Sequence, residues 1–196
     1  MESKTDRTRG IILDAAERLV LDVGVARLTL EAAAREAGLS KGGLLYHFPT
    51  KEALVRAMIA RYGDRFDRAR EGLALADPRP DGRHTRAYIK ASLGEGAGAG
   101  ADIDSLGAAL IAAVANDPAL LDPIRERYRA WQADLEEDGI DPVTATLLRL
   151  AIDGLWMTEV FGLARVPVAL RRKLLARLMD MSAPAPVGAA EASPAS

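Results

Sequence analysis

The chain has no cysteine and only two histidines, His47 and His84, among its 196 residues. The absence of cysteine removes disulfides and thiolate ligands, and two histidines are a poor basis for a zinc site. Aromatic residues make up 5% of the chain, and runs of β-branched residues are rare. No apolar stretch reaches the ~20 residues that a membrane-spanning helix needs, and the opening MESKTDRTRG lacks an apolar signal segment. Neither a Gly-x-Ser-x-Gly elbow nor a phosphate loop is present. These absences argue against a secreted disulfide scaffold, a membrane protein and the common catalytic frameworks. The expectation is a cytoplasmic protein, not an enzyme, with no metal and no cofactor.

What the chain has instead is alanine and leucine. Hydrophobic residues account for 49% of it, which favours an all-α protein with a sizeable core. Its charge is unevenly placed. Residues 1–70 carry 13 Lys and Arg against 10 Asp and Glu, while residues 71–196 carry 13 against 18, for an overall −2. A mildly basic first third on an acidic remainder suits a nucleic-acid-binding head on a body that avoids nucleic acid, although charge scatter alone can produce such a difference.

The most informative stretch is Thr29–Phe48, TLEAAAREAGLSKGGLLYHF. Thr29 is placed to cap a short helix with Leu30, Ala33, Ala34 and Ala37 on its apolar side, and Gly38 supplies the left-handed residue that ends it. Ser40 is placed to cap a second helix, on which Leu44 and Phe48, four apart, share the inner face. The small residue at 34, glycine at 38 and aliphatic at 44 match a helix-turn-helix, whose two helices cross too closely for bulk. Lys41, Tyr46, His47 and Lys51 then offer donors away from the inner face, suited chiefly to phosphates. Only Lys41 is a good reader of base edges. Gly42 and Gly43 either let the backbone approach a groove wall or are glycines tolerated in a first turn.

Further helices are expected on both sides. Residues 1–7 are polar and expected to fray, with Lys4, Arg7 and Arg9 either near phosphate or solvated. From about Thr8 to Gly24, Ile11, Ile12, Ala15, Ala16, Leu19, Val20 and Val23 recur at helical spacing. Pro49 breaks the second helix of the unit, and Thr50 caps a long one through residue 76, with Gly63 a possible bend. Helices follow over 83–95, 101–117, 118–139 (or from Asp122), 141–164 and from Pro167 to Met181. GEGAGAG at 94–100 reads as a flexible loop, because a dinucleotide fingerprint must follow a strand. The tail 182–196 is small, Pro-rich and expected to be disordered.

The later helices offer candidates for binding and assembly. Helix 141–164 is apolar almost all round and must be covered on all sides. With the final helix it would form a four-helix dimer interface using Leu148, Ile152, Leu155, Leu174 and Leu178. Tyr88, Leu110, Tyr128, Trp131, Trp156 and Phe161 are candidates to line a ligand pocket between helices, or are ordinary packing residues. Asp153 is expected to pair with Arg149 one turn earlier, and the acidic group Asp134, Glu136, Glu137 and Asp138 to form a solvated face.

Over residues 8–62 the chain resembles the tetracycline-repressor (TetR) family of transcriptional regulators, above all in GLSKGGLLYHFPTKEAL. The resemblance implies about nine helices: a three-helix DNA-binding head at 1–49, and a ligand-binding and dimerisation domain at 50–181 that begins with a linking helix, 50–75. It implies a homodimer on a palindromic double-stranded DNA operator, most simply a repressor released by a small molecule. Carried over by position, Thr29 and Ser40 cap and touch phosphate, Lys41, Gly42 and Gly43 face bases, and Tyr46, His47 and Lys51 hold the backbone. Gly43 stands where Thr or Ser is frequent, and Leu45 where a phosphate-binding Tyr is frequent, which gives Tyr46 more of the backbone contact. Two other readings remain: a DNA-binding activator or architectural protein without ligand control, and a helical enzyme with an incidental helix-turn-helix.

Overall fold

A computed structural model describes residues 3–94, 106–107, 109–110, 117–163 and 165–183. Among these residues there are eight α-helices and no strand: α1 (Lys4–Val23), α2 (Leu30–Glu36), α3 (Lys41–His47), α4 (Lys51–Ala76), α5 (Arg83–Ser92), α6 (Asp122–Glu136), α7 (Pro142–Val160) and α8 (Val168–Met181). Short 3-10 turns cover Val25–Arg27 and Pro118–Leu121. The 94–100 loop and most of the helix expected over 101–117 lie outside the described residues. None of the described helices is long and apolar enough to cross a membrane.

Packing divides the chain into two units, residues 1–67 with 97–128, and residues 68–96 with 129–196. The first unit's core is built from four helices. Ile12, Ala16 and Val20 of α1 meet Ala33 and Ala34 of α2, Leu44 of α3 with Phe48 just after it, and Leu54, Val55, Met58 and Ile59 of α4. Leu106, Leu110 and Leu120 complete the same cluster. The head's core therefore takes in the opening turns of α4. A boundary at residue 49 follows the roles of the elements, whereas burial follows this core.

The start of α1 corrects the expectation of a frayed N-terminus. Ser3 accepts a bond from the Asp6 amide while Asp6 reaches back to the Ser3 amide and hydroxyl, so a capping box begins the helix at Lys4. Charge then fastens α1 to α4. Glu17, almost buried, takes Arg61 at 2.6 Å and Arg65 at 2.8 Å, and Arg61 also reaches Asp14 at 2.8 Å. Burial alone would depress the Arg61 pKa, but these carboxylates outweigh it and hold it above the ordinary value. Gly63 is explained by space. Arg127 lies across α4 at this point, paired with Asp64 and Asp67, and a Cβ on residue 63 would stand 2.5 Å from its Nε.

In the second unit α5 packs against α7 and α8. Ala87, Tyr88, Ile89 and Ala91 of α5 are buried, as are Ala145, Leu148, Ile152 and Leu155 of α7. Polar groups are buried here too. Arg86 is fully buried: it donates to Asp77 Oδ2 at 2.6 Å, Asp81 O at 2.9 Å, Arg79 O at 2.8 Å and Ser182 O at 3.0 Å. The hydrogen bond from Arg86 holds the Asp77 carboxyl far below the usual carboxylate range despite burial. Gly82, at φ +73°, leaves room for this chain crossing, since a Cβ there would collide with Ser182 O.

Two readings of polar sequence are corrected in this unit. Asp138 is not part of a solvated face. It is buried, and its carboxylate accepts from the His84 amide at 2.9 Å and the Thr85 amide at 2.7 Å, capping α5, whose own N-cap residue, Gly82, offers no side chain. Asp134 likewise pairs with the buried Arg70 at 2.7 Å. Nor does Ser182 belong to a disordered tail, because it is fully buried and its carbonyl binds Arg86.

Candidate nucleic-acid interface

The helix-turn-helix has the local chemistry expected of it. Thr29 Oγ1 accepts from the Ala32 amide and Ser40 Oγ from the Gly43 amide, each at 3.1 Å. Gly38, at φ +68°, makes the turn between them. Leu44 and Phe48 are buried, which fixes the roll of α3 and leaves its other side to solvent. Tyr46 is 80% exposed, its ring edge-on to His47 at 5.1 Å. Lys41 and Gly42 are exposed, and Gly43, Leu45, His47 and Lys51 are half-buried.

Partners refine these assignments. Lys41 Nζ sits 2.5 Å from Glu31 on the first turn of α2, and that bond holds the Glu31 carboxyl below its ordinary value. Lys51 Nζ donates to Ala26 O at 3.3 Å, so it also ties α4 to the segment before α2. A Cβ on Gly42 would meet nothing within 4 Å, whereas one on Gly43 would stand 3.2 Å from Ser40 Oγ. The second glycine thus has a reason inside the protein and the first does not. Arg9 has a role that its sequence position could not show. Its guanidinium donates to His47 O at 3.2 Å and lies 4.4 Å from the Phe48 ring centroid, holding the end of α3.

The ligand candidates are shared between the two units. Tyr88 and Trp131 are brought together, both buried, with ring centroids 5.8 Å apart. A polar chain runs beside them. Tyr88 donates to Asp153 at 2.8 Å, Arg149 bonds Asp153 at 3.2 Å as its spacing indicated, and Arg149 also reaches Gln132 at 2.8 Å. Trp156 is half-buried and Phe161 exposed on α7 and its end. Leu110 belongs to the first unit's core, and Tyr128, exposed on α6, is grouped with that unit. Gln132 carried no signal in the sequence beyond its place on a helix.

The expected dimer residues mostly turn inward. Leu148, Ile152, Leu155 and Leu178 are buried within the chain's own unit, and only Leu174 keeps partial exposure. Side chains already covered in one copy cannot be offered to a second. The large apolar residues left open here are Val143, Leu147, Leu150, Met157 and Phe161 with Leu163, and Val168, Leu170 and Met181 on α8.

Comparison with known proteins bears on both units. Residues 12–58 match the bacterial regulatory proteins of the tetR family, and residues 82–183 match the tetracyclin repressor-like C-terminal domain. The HTH-type transcriptional regulator TtgR of Pseudomonas putida is 36% identical over 80 residues, 39% of this chain. The chain thus spans 38% of the length of that curated relative. Among solved structures, the multidrug binding protein EbrR complexed with imidazole is 27% identical, with a TM-score of 0.63 over 92% of this chain and 97% of that one. A member of the TetR family from Streptomyces coelicolor A3 is 28% identical, with a TM-score of 0.64 over 87% and 97%. The helix-turn-helix with its supporting helices, and the helical domain that follows it, place this chain in the tetR family of bacterial regulatory proteins.

Proposed function

We propose that the protein is a repressor that binds a palindromic operator as a homodimer and leaves it when a small molecule enters the second unit. The observation that carries the DNA reading is the two-sided α3: Leu44 and Phe48 are buried, while Lys41, Gly42 and Tyr46 are exposed. Lys41, Gly42, Gly43 and Leu45 would face the groove. Tyr46, His47 and Lys51 would hold phosphates, with Thr29 and Ser40 at the two helix starts that point amides toward them. Two such helices must sit ~34–36 Å apart to enter successive major grooves. The open apolar residues of α7 and α8, Leu147, Leu150, Met157 and Leu170 among them, are the surface proposed to hold the second copy.

The effector site is proposed around Tyr88 and Trp131, with Asp153, Arg149 and Gln132 as its polar edge. EbrR is named as a multidrug binding protein and has been solved with imidazole, ethidium, malachite green and proflavin. An aromatic effector of this kind would stack on the paired rings. It can release DNA only by binding the DNA-incompetent arrangement better than the competent one. The test begins with selection of genomic fragments on the purified protein, which supplies the operator, followed by a titration of operator complex with malachite green. Mutual weakening of the two ligands is expected. Simultaneous binding without antagonism would defeat the release model.

A further inference from the structure

Lys41 is the one side chain of α3 suited to a base edge, and in this structure it is already engaged. Its Nζ lies 2.5 Å from Glu31 Oε1, and both side chains are 59% exposed. The pair is therefore open to water and to anything that docks on this side of the head. A carboxylate here is costly for a surface that must approach phosphates, because it repels the duplex and occupies a cation at once. The first turn of α2 does favour an acid through the helix dipole, but that preference needs no contact with Lys41. The other acid of α2, Glu36, is spent elsewhere, on Arg18 at 3.1 Å.

We infer that Glu31 is a positioning residue that sets specificity: it withholds Lys41 from backbone phosphates and yields it to a base edge. This rests on the DNA-binding reading above. Docking on arbitrary sequence is carried by phosphate contacts, each neutralised phosphate adding close to one to the salt dependence. With Glu31 in place, moving Lys41 to a phosphate exchanges one anionic partner for another and leaves the carboxylate unpaired against the duplex. A contact to guanine O6 and N7 engages two acceptors at once and exists only where that base stands, so the correct site offsets that loss and an arbitrary one does not. Discrimination then comes from penalising the wrong partner.

The experiment measures binding of the full chain to a short duplex of random sequence by fluorescence anisotropy across a KCl series. It compares wild type, Glu31→Gln, Lys41→Ala and the double variant. Glu31→Gln is expected to bind the random duplex about two- to fivefold tighter, with a salt slope steeper by about one per reading helix. In the Lys41→Ala background the same change is expected to do nothing. An unchanged affinity and slope for Glu31→Gln overturns the inference. So does an equal gain with and without Lys41, which would make Glu31 a diffuse repulsive charge. A purely structural role would move the melting temperature and leave the slope alone, and that result also overturns it. Failure of the wild type to bind either the random duplex or any genomic fragment is a different outcome, which removes the DNA-binding reading itself.

Discussion

The two units differ in how far apart the partners of their helix caps lie. In the head, caps are satisfied by residues three away: Ser3 with Asp6, Thr29 with Ala32, Ser40 with Gly43, Thr50 with Ala53. The second unit has a local cap of this kind on α7, where Asp141 takes the Thr144 amide, but α5 is capped across the chain: Asp138 serves it from 53 and 54 residues away, and the buried Arg86 beside it reaches Ser182 across 96. Short-range caps are exposed and individually modest, and the head's buried carboxylate, Glu17, is matched by Arg61 and Arg65 and serves no cap. Long-range ones are buried, where an unmatched group costs far more. The contrast implies that losing the α5 cap should cost the second unit more than losing any one of these caps costs the head.

The sharpest way to break that comparison is Arg86→Met. It strips a fully buried cation and leaves Asp77 Oδ2 and three carbonyls without their donor, while Asp77 Oδ1 keeps the Arg79 amide. The expected loss is about 3–5 kcal/mol. Both tryptophans, Trp131 and Trp156, lie in the second unit, so urea unfolding followed by their fluorescence reports on it directly. The pH dependence has a definite sign. In the wild type Asp77 is held below its ordinary value. Its contribution is therefore complete above about pH 4 and is lost as the pH falls toward the native value. In the variant the largest lowering influence, the Arg86 hydrogen bond, is gone while the Arg79 amide and guanidinium remain, so the carboxyl should titrate closer to its ordinary value. The gap between wild type and variant should narrow as the pH falls below about 4. A gap that is constant with pH would show that Asp77 is not the partner that matters.

Asp138→Asn comes next. Oδ1 and Oδ2 receive the His84 and Thr85 amides, and Oδ2 also receives the Thr85 hydroxyl at 2.8 Å. An asparagine keeps one acceptor and sets its amide against a donor. The expected cost is about 1.5–3 kcal/mol, as for bonds to a charged group, read in the same fluorescence experiment. A cost near that of an exposed cap would erase the contrast between the units.

This contrast also explains what was legible in the sequence. Thr29, Gly38, Ser40 and Leu44 act on residues within one turn or so, and their spacing alone outlined a helix-turn-helix. The Arg149–Asp153 pair was legible for the same reason, being four residues apart on one helix. Asp138 was misjudged as solvent-facing because its partners lie more than fifty residues earlier, and nothing in DLEEDG signals them. The inward turn of Leu148, Ile152 and Leu155 was hidden by the even spread of apolar residues around α7, which leaves periodicity without a direction. Arg9 and Gln132 have roles that arise only once distant helices are packed.

In the head, Ser40→Ala measures the short-range side of the comparison. It removes a single exposed acceptor for the Gly43 amide. The expected cost is about 1 kcal/mol, seen as faster amide exchange in α3 with the tryptophan-detected transition unmoved. A loss as large as that of Asp138→Asn would mean that α3 depends on its cap more than on Leu44 and Phe48.

The smallest effect separates two explanations of neighbouring glycines. Both Gly42 and Gly43 lie in the first turn of α3, where alanine would ordinarily stabilise a helix by about 0.4–1 kcal/mol. At Gly43 the added Cβ would press on Ser40 Oγ at 3.2 Å, so the gain should be cancelled. At Gly42 the space is empty, and the gain should appear as slower amide exchange. If Gly42 is there only because a first turn tolerates it, Gly42→Ala should stabilise the head and leave DNA binding as it was. If the helix must press its backbone against a groove wall, the same methyl should stabilise the free protein and weaken the complex. Opposite signs in one variant cannot come from a folding defect, so that pair of measurements separates a glycine kept for the DNA from one that is merely allowed.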